Sequence, residues 1–169
     1  MIAILFILIN LSLNITASLN AVAVISSNYS NETVDDYDKI LCRGCGIDLA
    51  SSQNIISKLS PSSQQSFLDT LFNTENVLIQ ILLSEFFFNF PVITTTHSSC
   101  VGVGEWEDSE NWFPDYQWKP CVCSECGTYV GWVFKPIDLD ISDPDTFFVL
   151  ILTNIISETF LDSTIIYPK

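Results

Sequence analysis

Apolar positions along this chain fall in short clusters separated by polar turns, with no long periodic stripe. The first cluster, Ile2–Ile9 continued by Leu11 and Leu13, lacks charge and has the length of a signal-peptide apolar region. Residues 24–38 are rich in Ser, Asn and Asp without apolar periodicity, and read as an exposed leader. Order is expected from about Ile40, where "CRGCGIDLASSQNIISKL" predicts a cysteine-bearing turn and a short strand around Ile55–Leu59. Residues 66–83 admit two readings. Phe67, Leu68, Leu71 and Phe72 sit at helical spacing, whereas Val77–Leu83 is an apolar run of strand type. "EFFFNFPVITTTH" is rich in aromatic and β-branched residues and predicts a strand broken at Pro91. "SSCVGVGEWEDSE" and "NWFPDYQWKP" predict irregular backbone. A second cysteine turn, "CVCSECG", then leads into a strand over Tyr129–Phe134. "DLDISDPDT" predicts an acidic loop, and "FFVLILTNII" a buried strand far too short to cross a bilayer. There is no internal repeat, and 169 residues suit one domain of ordinary size.

Composition narrows the function. Six Lys+Arg against 20 Asp+Glu give a formal net charge of −14, which opposes binding to nucleic acid or to anionic lipid. The single histidine, His97, excludes a multi-histidine metal site and limits histidine-based catalysis. The N-terminal 1–23 is expected to be a signal peptide cleaved near 17–23, at Ala17 or within Ala21-Val22-Ala23. Secretion or residence in the endomembrane lumen, without stable membrane insertion after cleavage, follows from that expectation. Asn28-Tyr29-Ser30 and Asn31-Glu32-Thr33 then read as N-glycosylation acceptors in the 24–39 leader.

Two C-x-x-C pairs, Cys42/Cys45 and Cys123/Cys126, have zinc-site spacing. Two residues between thiolates let one tight turn aim both sulfurs at a single ion, and Gly44, Gly46 and Gly127 give those turns latitude. Disulfides are the competing reading in a secreted chain, but a bridge within a C-x-x-C closes a loop too small to constrain much. Four thiolates complete a tetrahedron, so such a zinc is structural and has no position open for substrate. Cys100 and Cys121 admit either a mutual disulfide or two free buried thiols.

Four tryptophans remain. Trp112 and Trp118 flank a proline in "ENWFPDYQW", and Trp132 lies on the strand after the second cysteine pair, so zinc would bring these three indoles together. They either fill a core or wall a cage for a small flat or cationic ligand.

"CRGC", "WFPDYQW", "CSEC" and "GWVF", in that order and spacing, resemble the CULT domain, the thalidomide-binding domain type found in cereblon. The resemblance is to the secreted single-domain members, with the domain over 40–160 and a tail over 161–169. It implies a mainly β, β-tent fold of two antiparallel sheets joined at a structural four-cysteine zinc site. It also implies a ligand site of Trp112, Trp118 and Trp132 with Phe134 at its base. Main-chain groups beside Trp112 would bond a cyclic imide such as glutarimide, or a uracil-like ring. Imide-terminated proteins become possible partners by the same chemistry. Three positions depart from the family pattern. Glu110 replaces a histidine and Asn111 a serine at the site, and Asp115 replaces a glycine, tolerable if that position needs positive φ. The family's pocket asparagine has no clear counterpart, Asn89 being the nearest candidate. B-type methionine sulfoxide reductases share this fold, but they need a late cysteine and none follows Cys126, so a binding role is expected instead of an enzymatic one.

Overall fold

The computed structural model describes residues 37–139 and 144–160. The expected signal peptide, both glycosylation triplets, most of the leader and the 161–169 tail lie outside the described residues. In chain order the strands are β1 (Lys39–Cys42), β2 (Asp48–Ser51), β3 (Ile55–Ile56), β4 (Gln65–Leu71), β5 (Thr74–Leu83) and β6 (Asn89–Thr95). These are followed by β7 (Val101–Gly102), β8 (Glu107–Asp108), β9 (Tyr116–Val122), β10 (Tyr129–Pro136), β11 (Phe147–Ile151) and β12 (Ile155–Ser157). They form a three-stranded sheet, β12-β1-β2, and a nine-stranded sheet built on β4-β5-β6-β11-β10-β9-β7, with β3 on β6 and β8 on β9. Every pairing is antiparallel. The mainly β expectation with two antiparallel sheets therefore holds. Among the described residues no helix is long and apolar enough to cross a membrane.

Alternation along the central strands gives the large sheet two buried faces. Val133 and Leu150 point into one core with Ile40, Leu49 and Ile155 of the small sheet. Trp132, Phe134, Val149 and Ile151 point the other way, into a second core with Phe113 and Phe147. Phe134 and Phe147 stack at 5.1 Å with 6° between planes, and Phe113 meets both edge-on at 5.0 and 4.9 Å.

Several local expectations are corrected. Residues 66–83 form a β-hairpin and no helix. Leu71 pairs with Thr74 across Phe72 and Asn73, which both adopt positive φ of 53° and 54°, the geometry of a tight two-residue hairpin turn. Burial of Phe72 in the first core holds this turn, despite the cost of positive φ for a bulky side chain. Pro91 does not break its strand. It sits within β6 opposite Ile81, one residue outside the segment paired with β11, which begins at Val92. There its missing N–H costs no bond to β11. Phe86, Phe87 and Phe88 form an exposed β5–β6 turn in place of the expected strand start. The strand near residue 55 ends at Ile56, and Trp118 lies on β9, not in irregular backbone.

Candidate ligand cavity and zinc centre

The two cysteine turns are equivalent hairpin turns belonging to different sheets. In the β1–β2 turn, Cys42 N–H donates to Ile47 C=O at 2.9 Å and Gly46 N–H to Cys42 C=O at 2.8 Å. In the β9–β10 turn, Cys123 N–H donates to Thr128 C=O at 2.8 Å and Gly127 N–H to Cys123 C=O at 3.0 Å. The glycine following each pair has φ of 80° or 70°, which L side chains rarely adopt. Asn154 joins both turns: its C=O accepts from Arg43 N–H at 3.0 Å, and its side-chain amide donates to Tyr129 C=O at 2.7 Å.

All four sulfurs lie within 4.8 Å of one another. The closest pairs, Cys42–Cys126 and Cys45–Cys123, are each 3.6 Å apart and each join one turn to the other. Zinc–sulfur bonds of about 2.3 Å at tetrahedral angles need sulfurs about 3.8 Å apart, so this donor set fits the ion. Without metal the cysteines of this site ionise unevenly. Burial raises the Cys42 thiol, whereas hydrogen bonding to Thr128 brings Cys126 down to about 6. Cys126 Sγ and Thr128 Oγ1 are 3.1 Å apart. Cys100 and Cys121 are disulfide-bonded, closing a loop with sequence separation 21 that contains the whole "ENWFPDYQW" segment.

On the opposite face of the large sheet, Trp112, Trp118 and Trp132 line one cavity of about 740 Å³. Glu110 and Asn111 line it too, together with Ser62, Gln64, Glu107, Asp108 and the β5–β6 turn from Leu83 to Phe86. Phe134 does not line it. It is paired with Trp118 across β9–β10 but lies fully buried in the aromatic core. Asn89 pairs with Leu83 at the start of β6 and is also outside the lining. Trp106 stands apart, its ring covered by the ammonium groups of Lys119 and Lys135 at 4.7 and 5.1 Å.

The walls are held from several directions. Trp132 is 6% exposed and meets Trp112, Phe90 and Tyr129 edge-on at 4.7, 5.2 and 5.3 Å. Its neighbour Gly131 has φ +151°, and a Cβ there would fall 1.9 Å from Val149 C=O, so only glycine lets β11 approach. Trp112 Nε1–H donates to Leu83 C=O at 2.9 Å, and Trp112 C=O accepts the Ser60 hydroxyl at 2.6 Å. Ser62 similarly holds Asn111 C=O at 2.7 Å. The fully buried Gln80 fixes that loop by accepting Ser60 N–H at 2.6 Å and donating to Lys58 C=O at 2.8 Å. Sequence reasoning missed Ser60, Ser62 and Gln80, because nothing in a Ser-Pro-Ser-Ser loop or one strand glutamine announces the role. Asp115 adopts φ 72°, the conformation that a glycine would favour. The main-chain N–H of Trp112 and C=O of Glu110 have no hydrogen-bond partner among the described residues.

The family described as Yippee zinc-binding/DNA-binding/Mis18, centromere assembly matches residues 39–165. The chain belongs to the Yippee-Mis18 family. Within it, the similarity runs to cereblon. Protein cereblon of Drosophila erecta and of Drosophila melanogaster are each 26% identical over 140 residues, covering 80% of this chain and 20% of the relative. Cereblon of Drosophila grimshawi is 43% identical over 47 residues, 28% of this chain and 7% of the relative. The chain thus spans about a fifth of the length of the fly cereblons it matches over most of its residues. This cereblon-like domain holds a structural zinc through Cys42, Cys45, Cys123 and Cys126, which joins the turns of its two sheets.

Proposed function

We propose that this domain is a binding module for a small cyclic imide of the glutarimide or thalidomide type, or a uracil-like ring, held in an aromatic cage of Trp112, Trp118 and Trp132. One observation carries the reading. The three indoles share a single cavity, and the unpartnered Trp112 N–H and Glu110 C=O belong to residues that line it. An imide edge presents an N–H between two carbonyls, so it needs one acceptor and at least one donor close together. Leaving such groups unpaired on burial costs about 1–3 kcal/mol each. Indole faces supply dispersion and apolar contact to the ring. Phe134 belongs to the aromatic core against which the three tryptophans pack.

Binding is favoured over catalysis by the four zinc thiolates, which leave no open coordination position, and by the absence of any cysteine after Cys126. The net charge of −14 speaks against taking up the DNA binding named in the family description. Secretion rests on the apolar N-terminus. The cavity opens beside the exposed Phe86, which also suits an imide ring at the end of a protein chain.

Calorimetric titration of zinc-loaded protein tests the reading. Glutarimide should bind and its ring-opened diamide should not, and Trp118→Ala should abolish the heat. Equal response to both compounds, or none at millimolar ligand, would overturn it.

A further inference from the structure

Three glutamates stand at the cavity: Glu85 on the β5–β6 turn, Glu107 on β8 opposite Trp118, and Glu110 on the turn beyond. No lysine or arginine lines it among the described residues. The cations of this region are engaged elsewhere. Lys58 Nζ donates to Tyr116 Oη at 2.9 Å, Lys119 Nζ to Gly104 C=O at 3.1 Å and Lys135 to Leu139 C=O. Among the described residues no side chain bonds these three carboxylates, and Asp108, next to Glu107 on β8, turns the other way to accept from Gln117 Nε2 at 2.9 Å. Same-sign charges around a concave, partly desolvated site focus their field into it. The indole faces that form the walls also attract cations.

We infer that the cavity selects a cationic ligand: a flat ring seated among the tryptophans that carries a positively charged substituent toward Glu85, Glu107 and Glu110. This rests on the ring-binding reading above and deepens it. The ring supplies shape and hydrogen bonding, and the rim chooses the charge. Because the three carboxylates are exposed, their contribution weakens as salt is added.

The test compares three probes on the zinc-loaded chain: glutarimide, its 3-trimethylammonio derivative and its isosteric neutral 3-tert-butyl derivative. The last two differ in charge alone. At low salt the cation should bind about tenfold tighter than the tert-butyl compound, a preference that falls below about twofold in about 0.5 M salt. The Glu85→Gln/Glu107→Gln variant should lose most of that preference, whereas Glu75→Gln, outside the cavity at the far end of β5, should keep it and bind glutarimide as wild type does. If glutarimide binds but cation and isostere bind equally at low salt, the charge inference is overturned and the imide reading stands. If none of the three binds, the imide reading itself falls.

Discussion

The Ser60 hydroxyl donates to the main-chain carbonyl of Trp112 across 2.6 Å and so ties the β3–β4 loop to the first wall of the cavity. Gln80, buried on β5, holds Ser60 in turn, and Leu83 on the same strand accepts the Trp112 indole N–H. One strand thus positions this tryptophan twice, once through each end of the residue. Ser60→Ala removes the donor and leaves a carbonyl unpaired. It should cost about 1–2 kcal/mol in urea unfolding. Ring affinity should fall several-fold because Trp112 loses its fixed position.

Zinc joins two hairpin turns that otherwise meet chiefly through Asn154 and Arg43. Chelation should release one zinc per chain and abolish the near-ultraviolet circular dichroism of the tryptophans, since folding energy at such sites is metal-binding energy. Cys123→Ser should behave like the chelated protein.

Protons compete with zinc for the thiolates, so metal is retained at neutral pH and lost as pH falls. Hydrogen bonding to Thr128 depresses the Cys126 thiol to about 6 and so favours the ligating form. A depressed thiol contributes above its ordinary range and loses that contribution as pH falls through its folded value. Thr128→Val removes the hydroxyl's share of the depression and keeps the main-chain bond, and the midpoint of zinc release, followed with a chromogenic chelator, should move to higher pH.

Gly131 lies where β10 and β11 come closest. Gly131→Ala places a methyl 1.9 Å from Val149 C=O at a φ of +151°. The backbone must shift, at a cost of about 3 kcal/mol or more. Because Trp132 is the next residue, ligand binding should fall with stability.

The Cys100–Cys121 disulfide encloses β8 and the turn carrying Trp112. Replacing both cysteines by serine should lower stability by about 3 kcal/mol on loop-entropy grounds. The zinc site is a separate tie between the sheets, so zinc stoichiometry should be unchanged.

The zinc ligands were legible because two thiols three positions apart, each pair followed by glycine, have few other physical uses. The grouping of Trp112, Trp118 and Trp132 followed from their register with those cysteines. The β4–β5 hairpin was not legible, since Phe72-Asn73 lacks the Asn-Gly signal of such turns, and burial of Phe72 decides the conformation. Pro91 misled because a proline's effect depends on whether a neighbouring strand needs its N–H, which is a tertiary fact. The acidic rim was only partly visible. Glu110 belongs to the motif, but Glu85 is brought to it by sheet topology, from a different hairpin. Sequence left Cys100 and Cys121 open, since only the pairing of β7 with β9 sets their separation.

The four indole N–H resonances test the central claim most directly, because Trp106 stands outside the cavity and serves as an internal reference. On titration of zinc-loaded, nitrogen-15-labelled protein with glutarimide, the signals of Trp112, Trp118 and Trp132 should shift together along one saturating isotherm while Trp106 stays fixed. Saturating glutarimide that leaves those three signals in place, or that moves Trp106 as much as the others, would contradict the account.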